Sequence, residues 1–307
     1  MPQAPHDCPT RATGVNWPHA PRLDAPRMSR SRRRAALAAA ATPRTWRDRI
    51  AATFPAAPAD APPLDRRTVF VFVVATILLV VFQYFGRPDY YRASDLEVAL
   101  GPSFEAWLGP HAPMAAYLYW GVTSLVLRVA IPLTIVAFVF REPLASYGWR
   151  WRGQFPHVPT YAALYLAMLP LIIWAASLPS FQAKYPFYKG AAEGGSVFWL
   201  YELSYGAQFM GVETFFRGFL LFALFRRFGY YALFIMAIPY VMVHFNKPLP
   251  EVFGALGAAV ILGALALRAG SCVLGILLHW AVGLTMDVLA IAKALGGLGP
   301  AVRAILS

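Results

Sequence analysis

The sequence predicts an all-α, polytopic transmembrane helix bundle of about seven spans preceded by a disordered N-terminal tail. Three observations lead there. Of the 307 residues, 58% are hydrophobic and only 14% are charged, whereas a soluble domain carries about 25% charged residues. Apolar runs that approach the roughly 20 residues needed to cross a hydrocarbon core recur along the chain. Between those runs the arginines fall at alternate junctions, as the positive-inside rule requires of a multi-pass protein.

Taken in order, residues 1–66 form a basic tail rich in Pro, Ala and Arg, without sustained apolar periodicity, and are expected to be disordered. One exception is Thr45 to Phe54, where Trp46, Ile50 and Phe54 recur at i, i+4 and i+8. That segment reads as a short helix lying on a membrane surface. Arg32-Arg33-Arg34 precedes an Ala-rich run too short for a good signal peptide, and Met28 is an alternative start. Up to Arg67 the chain has 12 Arg against 5 Asp, a local +7 within the overall +12. The high net charge therefore belongs to a tail, and a nucleic-acid-binding surface is not expected. Cys8 and Cys272 define neither a disulfide framework nor a metal-spacing motif.

The membrane domain is expected over 67–294, with a short C-terminal tail over 295–307. Its spans read as Val69–Phe85, Met114–Phe140, Tyr161–Leu178, Val197–Phe225, a short Tyr230–Phe245, Val252–Leu267 and Cys272 to about Ala292. Arg128 and Pro132 interrupt the second. The loop before Met114 is long enough to hold a re-entrant or interfacial helix. Placing the tail, Arg141/Arg150/Arg152, Arg226/Arg227 and Arg268 on one side puts the N-terminus in the cytoplasm of a cell whose inner membrane holds the protein.

Function is sought in the ionisable residues inside these spans, because each costs at least ~2.5–3.5 kcal/mol to insert. Glu213 and Arg217 are four apart and so share a helix face. At 1.5 Å per residue, Glu213 lies about 16 Å deep, His244 about 22 Å and His279 about 14 Å. Three scattered positions thus converge on one layer. A carboxylate acting on water and imidazoles donating to an oxyanion are the parts of a hydrolytic site. The same residue types form the His₂Glu set of a catalytic zinc, although no H-E-x-x-H occurs. The plainer alternative is structural: an ion pair that neutralises itself, and histidines bonded to neighbouring carbonyls. Asp287, two turns beyond His279, is read as a partner of Arg128 or Lys293.

Val212-Glu213-x-x-x-Arg217, Tyr240-x-x-x-His244 and His279-x-x-x-Gly283 occur in the order and spacing of three motifs of the CPBP family. At these residues the chain resembles that family, the membrane proteases related to CAAX prenyl protease 2 and to bacteriocin-processing proteins. The resemblance covers about 197–289 and extends weakly to the Tyr147-Gly148-Trp149-Arg150 loop. It implies an intramembrane endopeptidase acting on a membrane-associated peptide or protein, with Glu213 as base or orienter of water. Arg217 would be its charge partner, and His244 and His279 the oxyanion donors. Zinc is possible as cofactor, since the family is often called metalloprotease. Val212 stands where the family has its first glutamate, and Gly283 where it has Asn or Asp. Glu202, Glu251 and Asp287 are the candidates for a compensating acid. The alternatives are a catalytically inactive scaffold or immunity-type protein on the same fold, and a transporter. The transporter lacks support from any inverted repeat.

Overall fold

The computed structural model describes residues 63–307; the tail, the Thr45–Phe54 segment and the choice of start codon lie outside them. Among the described residues the chain is helical throughout and has no strand. Six helical stretches are long and apolar enough to cross a membrane, and a seventh apolar helix, Tyr231–Met242, is shorter. The multi-pass bundle expected from composition is thus present.

Helix α1, Arg66–Phe85, starts where Asp65 accepts from the backbone N–H groups of Arg67 and Thr68, satisfying donors that a helix start leaves open. The long polar loop that follows contains α2, Pro88–Ala93, and α3, Asp95–Leu108. Helix α4 runs over 115–139 and stays continuous through wide π-type turns at Leu125–Ala130 and Ile135–Val139. Arg128 sits in the first of these, and Pro132 is absorbed just beyond it. Helix α5 is Val158–Ala176, and the polar turn after it holds the short α6, Pro179–Lys184.

Helix α7, Gly195–Phe228, is the axis of the bundle. In its apolar window 78% of residues are buried inside the protein, against 11–50% for the other spans. It packs on α4 and on α10, Val273–Ala294. Glycines allow the close approach: a Cβ on Gly211 would lie 3.3 Å from Arg128 Cβ, and one on Gly206 2.8 Å from the Trp280 ring. The short α8, Tyr231–Met242, pairs with α9, Leu249–Ala269. The last residues are a helix, α11, Leu298–Leu306, which buries Ala301 and Ile305.

At one end of the bundle the basic junctions meet. Glu142 accepts from Arg67 at 2.7 and 2.9 Å and from Arg226 at 2.7 Å, and Arg67 also donates to the Tyr147 hydroxyl. The hydrogen bond from Arg67 pulls the Glu142 carboxyl down to about 2. The 147–150 loop docks alongside: Cys272 N–H donates to Gly148 O at 2.9 Å, Ser271 Oγ to Arg150 O at 2.8 Å and Arg150 Nη2 to Ala269 O at 2.6 Å. Gly148 adopts φ +82°, a left-handed conformation suited to glycine. The start of α1 and the ends of α4, α7 and α9 are thus tied together here, with Arg67, Arg150 and Arg226 among the groups that join them.

Candidate active site

The site is built on the middle of α7. Glu213 ends a regular α-helical stretch, and the helix then widens into a π-type turn over Thr214–Leu220 that carries Arg217. Such turns are frequent at functional sites. Both side chains are fully enclosed, with Glu213 and Arg217 each 0% exposed. Arg217 Nη1 donates to Glu213 Oε1 at 2.7 Å, Nη2 donates to Ala258 O at 3.2 Å, and the guanidinium lies 3.9 Å from the centre of the Tyr240 ring. The pair expected from i, i+4 spacing is formed.

His279 on α10 reaches the same carboxylate, with Nδ1 2.8 Å from Glu213 Oε1. Gly275, one turn earlier on α10, makes room for it. A Cβ there would lie 2.8 Å from Glu213 Oε2, which is itself buried without a partner. His244 follows α8, and its Nδ1 is 2.8 Å from Tyr240 O. The two rings lie 4.8 Å apart, so Tyr240 sits between Arg217 and His244.

A carboxylate and a carbonyl oxygen can only accept. The proton of each neutral imidazole is therefore on Nδ1, which leaves Nε2 as an acceptor. The sequence reading made both histidines oxyanion donors; the hydrogen bonds assign them the opposite capacity in the neutral state.

Two cavities meet at these histidines. One, about 490 Å³, is lined by Val212, Arg128 and Gln208 together with His244 and His279. The other, about 370 Å³, runs between α5, α9 and α10 and is lined by apolar residues such as Leu171, Leu262 and Met286 together with both histidines. Glu213 lines neither cavity. It was expected to face the same space as the imidazoles, and instead lies behind His279. Val212, where the family carries its first glutamate, lines the first cavity with three other residues of α7, Tyr205, Gln208 and Phe209.

The other departures also have a physical basis. At Gly283 a Cβ would come within 2.6 Å of the Phe209 ring, whose centre is 4.5 Å from that of His279. Phe209 thus fills the place beyond Gly283 and braces the imidazole. Of the candidate compensating acids, Glu251 lines the second cavity but is held by Lys247 Nζ and the Tyr185 hydroxyl, both at 2.6 Å. Asp287 does not pair with Arg128 or Lys293. It is enclosed beside Glu202, which accepts from Trp280 Nε1 at 3.3 Å. Arg128 binds Ser124 and Gln208 instead. Gln208, Phe209 and Lys247 were missed in the sequence. Only Gln208 carried a signal, as an amide in the middle of an apolar helix.

Both imidazoles donate their second nitrogen to an oxygen, as metal-bound histidines do. Yet no group of three potential ligands converges among the described residues, whereas a catalytic zinc usually takes three protein ligands. Glu213, the nearest carboxylate, already serves Arg217 and His279 through Oε1. The residues present do not complete a zinc site.

Fold and site together define a multi-pass membrane protein with an imidazole, a carboxylate and a guanidinium joined inside the bundle. Over residues 195–285 the chain matches the family model described as type II CAAX prenyl endopeptidase Rce1-like. The match agrees with the CPBP resemblance, and the matched segment contains Glu213, Arg217, His244, His279 and Gly283. No match was found among curated proteins or among solved structures.

Proposed function

We propose that the protein is an intramembrane endopeptidase that hydrolyses a peptide bond of a membrane-associated substrate, with His279 as general base and Glu213 as its orienting group. The observation that carries this reading is the 2.8 Å contact between His279 Nδ1 and Glu213 Oε1. A carboxylate so placed fixes the imidazole tautomer and favours the imidazolium that forms when Nε2 takes a proton. Arg217 donates to the same carboxylate oxygen at 2.7 Å and offsets its charge within the bundle. His244, with its own Nε2 free to accept, holds the second hydrogen of the attacking water. His279 removes the first hydrogen as the oxygen adds to the carbonyl carbon, then returns that proton to the leaving amine as the C–N bond breaks. In this role the missing glutamate at Val212 is replaced by an imidazole that lines the same cavity. On this reading the protein works in the inner membrane with its N-terminus in the cytoplasm, as the distribution of its arginines suggests.

A second reading, a catalytically inactive scaffold on the same fold, is favoured by one observation: Val212 presents an apolar side chain where the cavity meets the imidazoles. The experiment that separates them uses the full-length protein in liposomes with membrane-anchored peptides as substrates. Hydrolysis by wild type that is lost in His279→Gln supports the first reading. Silence of wild type together with cleavage by Val212→Glu supports the second.

A further inference from the structure

We infer that Arg128 is the anchor for the C-terminal carboxylate of the peptide that occupies the first cavity, a specificity group that makes this site act on chain ends. The inference rests on the peptidase reading above and deepens it.

A guanidinium is a permanent cation, and at membrane depth it is costly unless paired. Arg128 is only 3% exposed. Nevertheless, no carboxylate lies within salt-bridge distance of it among the described residues. Its polar contacts within the protein use one nitrogen, Nη2, which donates to Ser124 Oγ at 2.9 Å and to Gln208 Oε1. Gln208 is fixed in turn by donating to Trp120 O. Nε is buried without a partner, and Nη1 makes no hydrogen bond within the protein. The Phe82 ring, 3.7 Å from the guanidinium carbon, covers one side. A purely structural bridge between α4 and α7 would need only the donors already used.

The cavity supplies what the cation lacks. Its lining includes Arg87, Arg128 and Lys247 and no acidic residue. Arg87 has Asp89 at 4.0 Å and Lys247 has Glu251 at 2.6 Å, so Arg128 is the cation of this wall without an anion. A guanidinium with open N–H groups matches a carboxylate in geometry as well as charge. His244 and His279 line the same cavity, so a chain end held at Arg128 leaves the preceding residues alongside the imidazoles. An anionic lipid headgroup in that place would obstruct them instead.

The test is equilibrium binding rather than turnover. A dye-labelled synthetic peptide with an apolar segment and a free C-terminus is compared with its C-terminal amide, using full-length protein in phosphatidylcholine nanodiscs. Wild type is expected to bind the acid about ten- to a hundredfold more tightly than the amide, the worth of a hydrogen-bonded charge. In Arg128→Gln the amide affinity stays and the preference disappears; Arg128→Lys retains part of it. Equal binding of acid and amide by wild type, binding of neither, or an undiminished preference in Arg128→Gln overturns the assignment. Should Arg128→Gln fail to fold, the wild-type comparison decides alone. Displacement of the peptide by phosphatidylglycerol from wild type but not from Arg128→Gln would make a lipid headgroup the ligand, and the inference falls. A protein that hydrolyses peptides while binding acid and amide alike loses this assignment and keeps its proposed function. One that prefers the acid and never hydrolyses does the reverse.

Discussion

Glu213→Gln removes one charge from the centre of α7 and leaves Arg217 with Ala258 O at 3.2 Å and the face of Tyr240. Both members of the pair are fully enclosed. Breaking such a pair on one side costs about 3–5 kcal/mol, because the surviving charge stays buried. For a domain of this size that is a fall in unfolding temperature on the order of 10 °C. The same substitution deprives His279 of its orienting carboxylate, for which a turnover loss of about a hundredfold or more is expected. Stability and chemistry can be separated by adding Arg217→Met, which removes the stranded cation and replaces the pair with neutral groups. Such replacements are often neutral, so the double variant is expected to unfold within about 2 kcal/mol of wild type and still to lack turnover. The assays are thermal unfolding in nanodiscs and cleavage of a membrane-anchored peptide, run on the same preparations. If the double variant is as unstable as Glu213→Gln, the stranded charge is not what destabilises the single variant. If turnover returns with stability, Glu213 serves the fold alone.

Glu142→Gln is expected to lower stability at neutral pH, and the gap to wild type identifies the ion cluster at the basic end. Its folded carboxyl is depressed to about 2 by Arg67, so its stabilisation is complete above the ordinary value of 4.5 and is lost as pH falls toward 2. Unfolding scans against pH should show the two proteins converging only in that window. Gly283→Ala is expected to cost about 1–3 kcal/mol through overlap with Phe209, and Phe209→Leu in the same chain should recover most of it, measured by thermal unfolding. Reporter tags after Arg227 should label cytoplasmic and tags after Lys247 external; the reverse result would invert the orientation.

The fold was largely legible because a bilayer imposes one dominant requirement, a long apolar helix, and composition records it directly. The span expected over Tyr230–Phe245 was short in the sequence, and its helix, Tyr231–Met242, is short in the molecule. The expected C-terminal tail is instead a helix whose Ala301 and Ile305 find a buried face, a packing outcome that the segment's own pattern does not reveal. At the site, periodicity placed Glu213 and Arg217 on one face, and depth brought the histidines to their level. Depth along an axis says nothing of rotation about it, however. Whether Glu213 or Val212 looks into the cavity is decided by about 100° of helix, and packing on Gly275 and Arg217 settled it against the carboxylate. The hydrogen-bonding sense of the imidazoles was likewise invisible, since it depends on which oxygen meets Nδ1. Asp287 found Glu202 rather than a cation because α7 and α10 pack directly on each other, a contact that no spacing encodes.

The most direct test of the account is the origin of the oxygen in the product. Full-length protein in liposomes is incubated with a membrane-anchored peptide in water enriched in oxygen-18, and the fragments are weighed by mass spectrometry. Wild type is expected to release an amino-side fragment whose new carboxylate carries one heavy oxygen, and His279→Gln to release none above background. Cleavage by His279→Gln at the wild-type rate would contradict the assignment of His279 as base, and intact peptide with wild type alongside labelled product from Val212→Glu would contradict the claim that the natural protein is an enzyme.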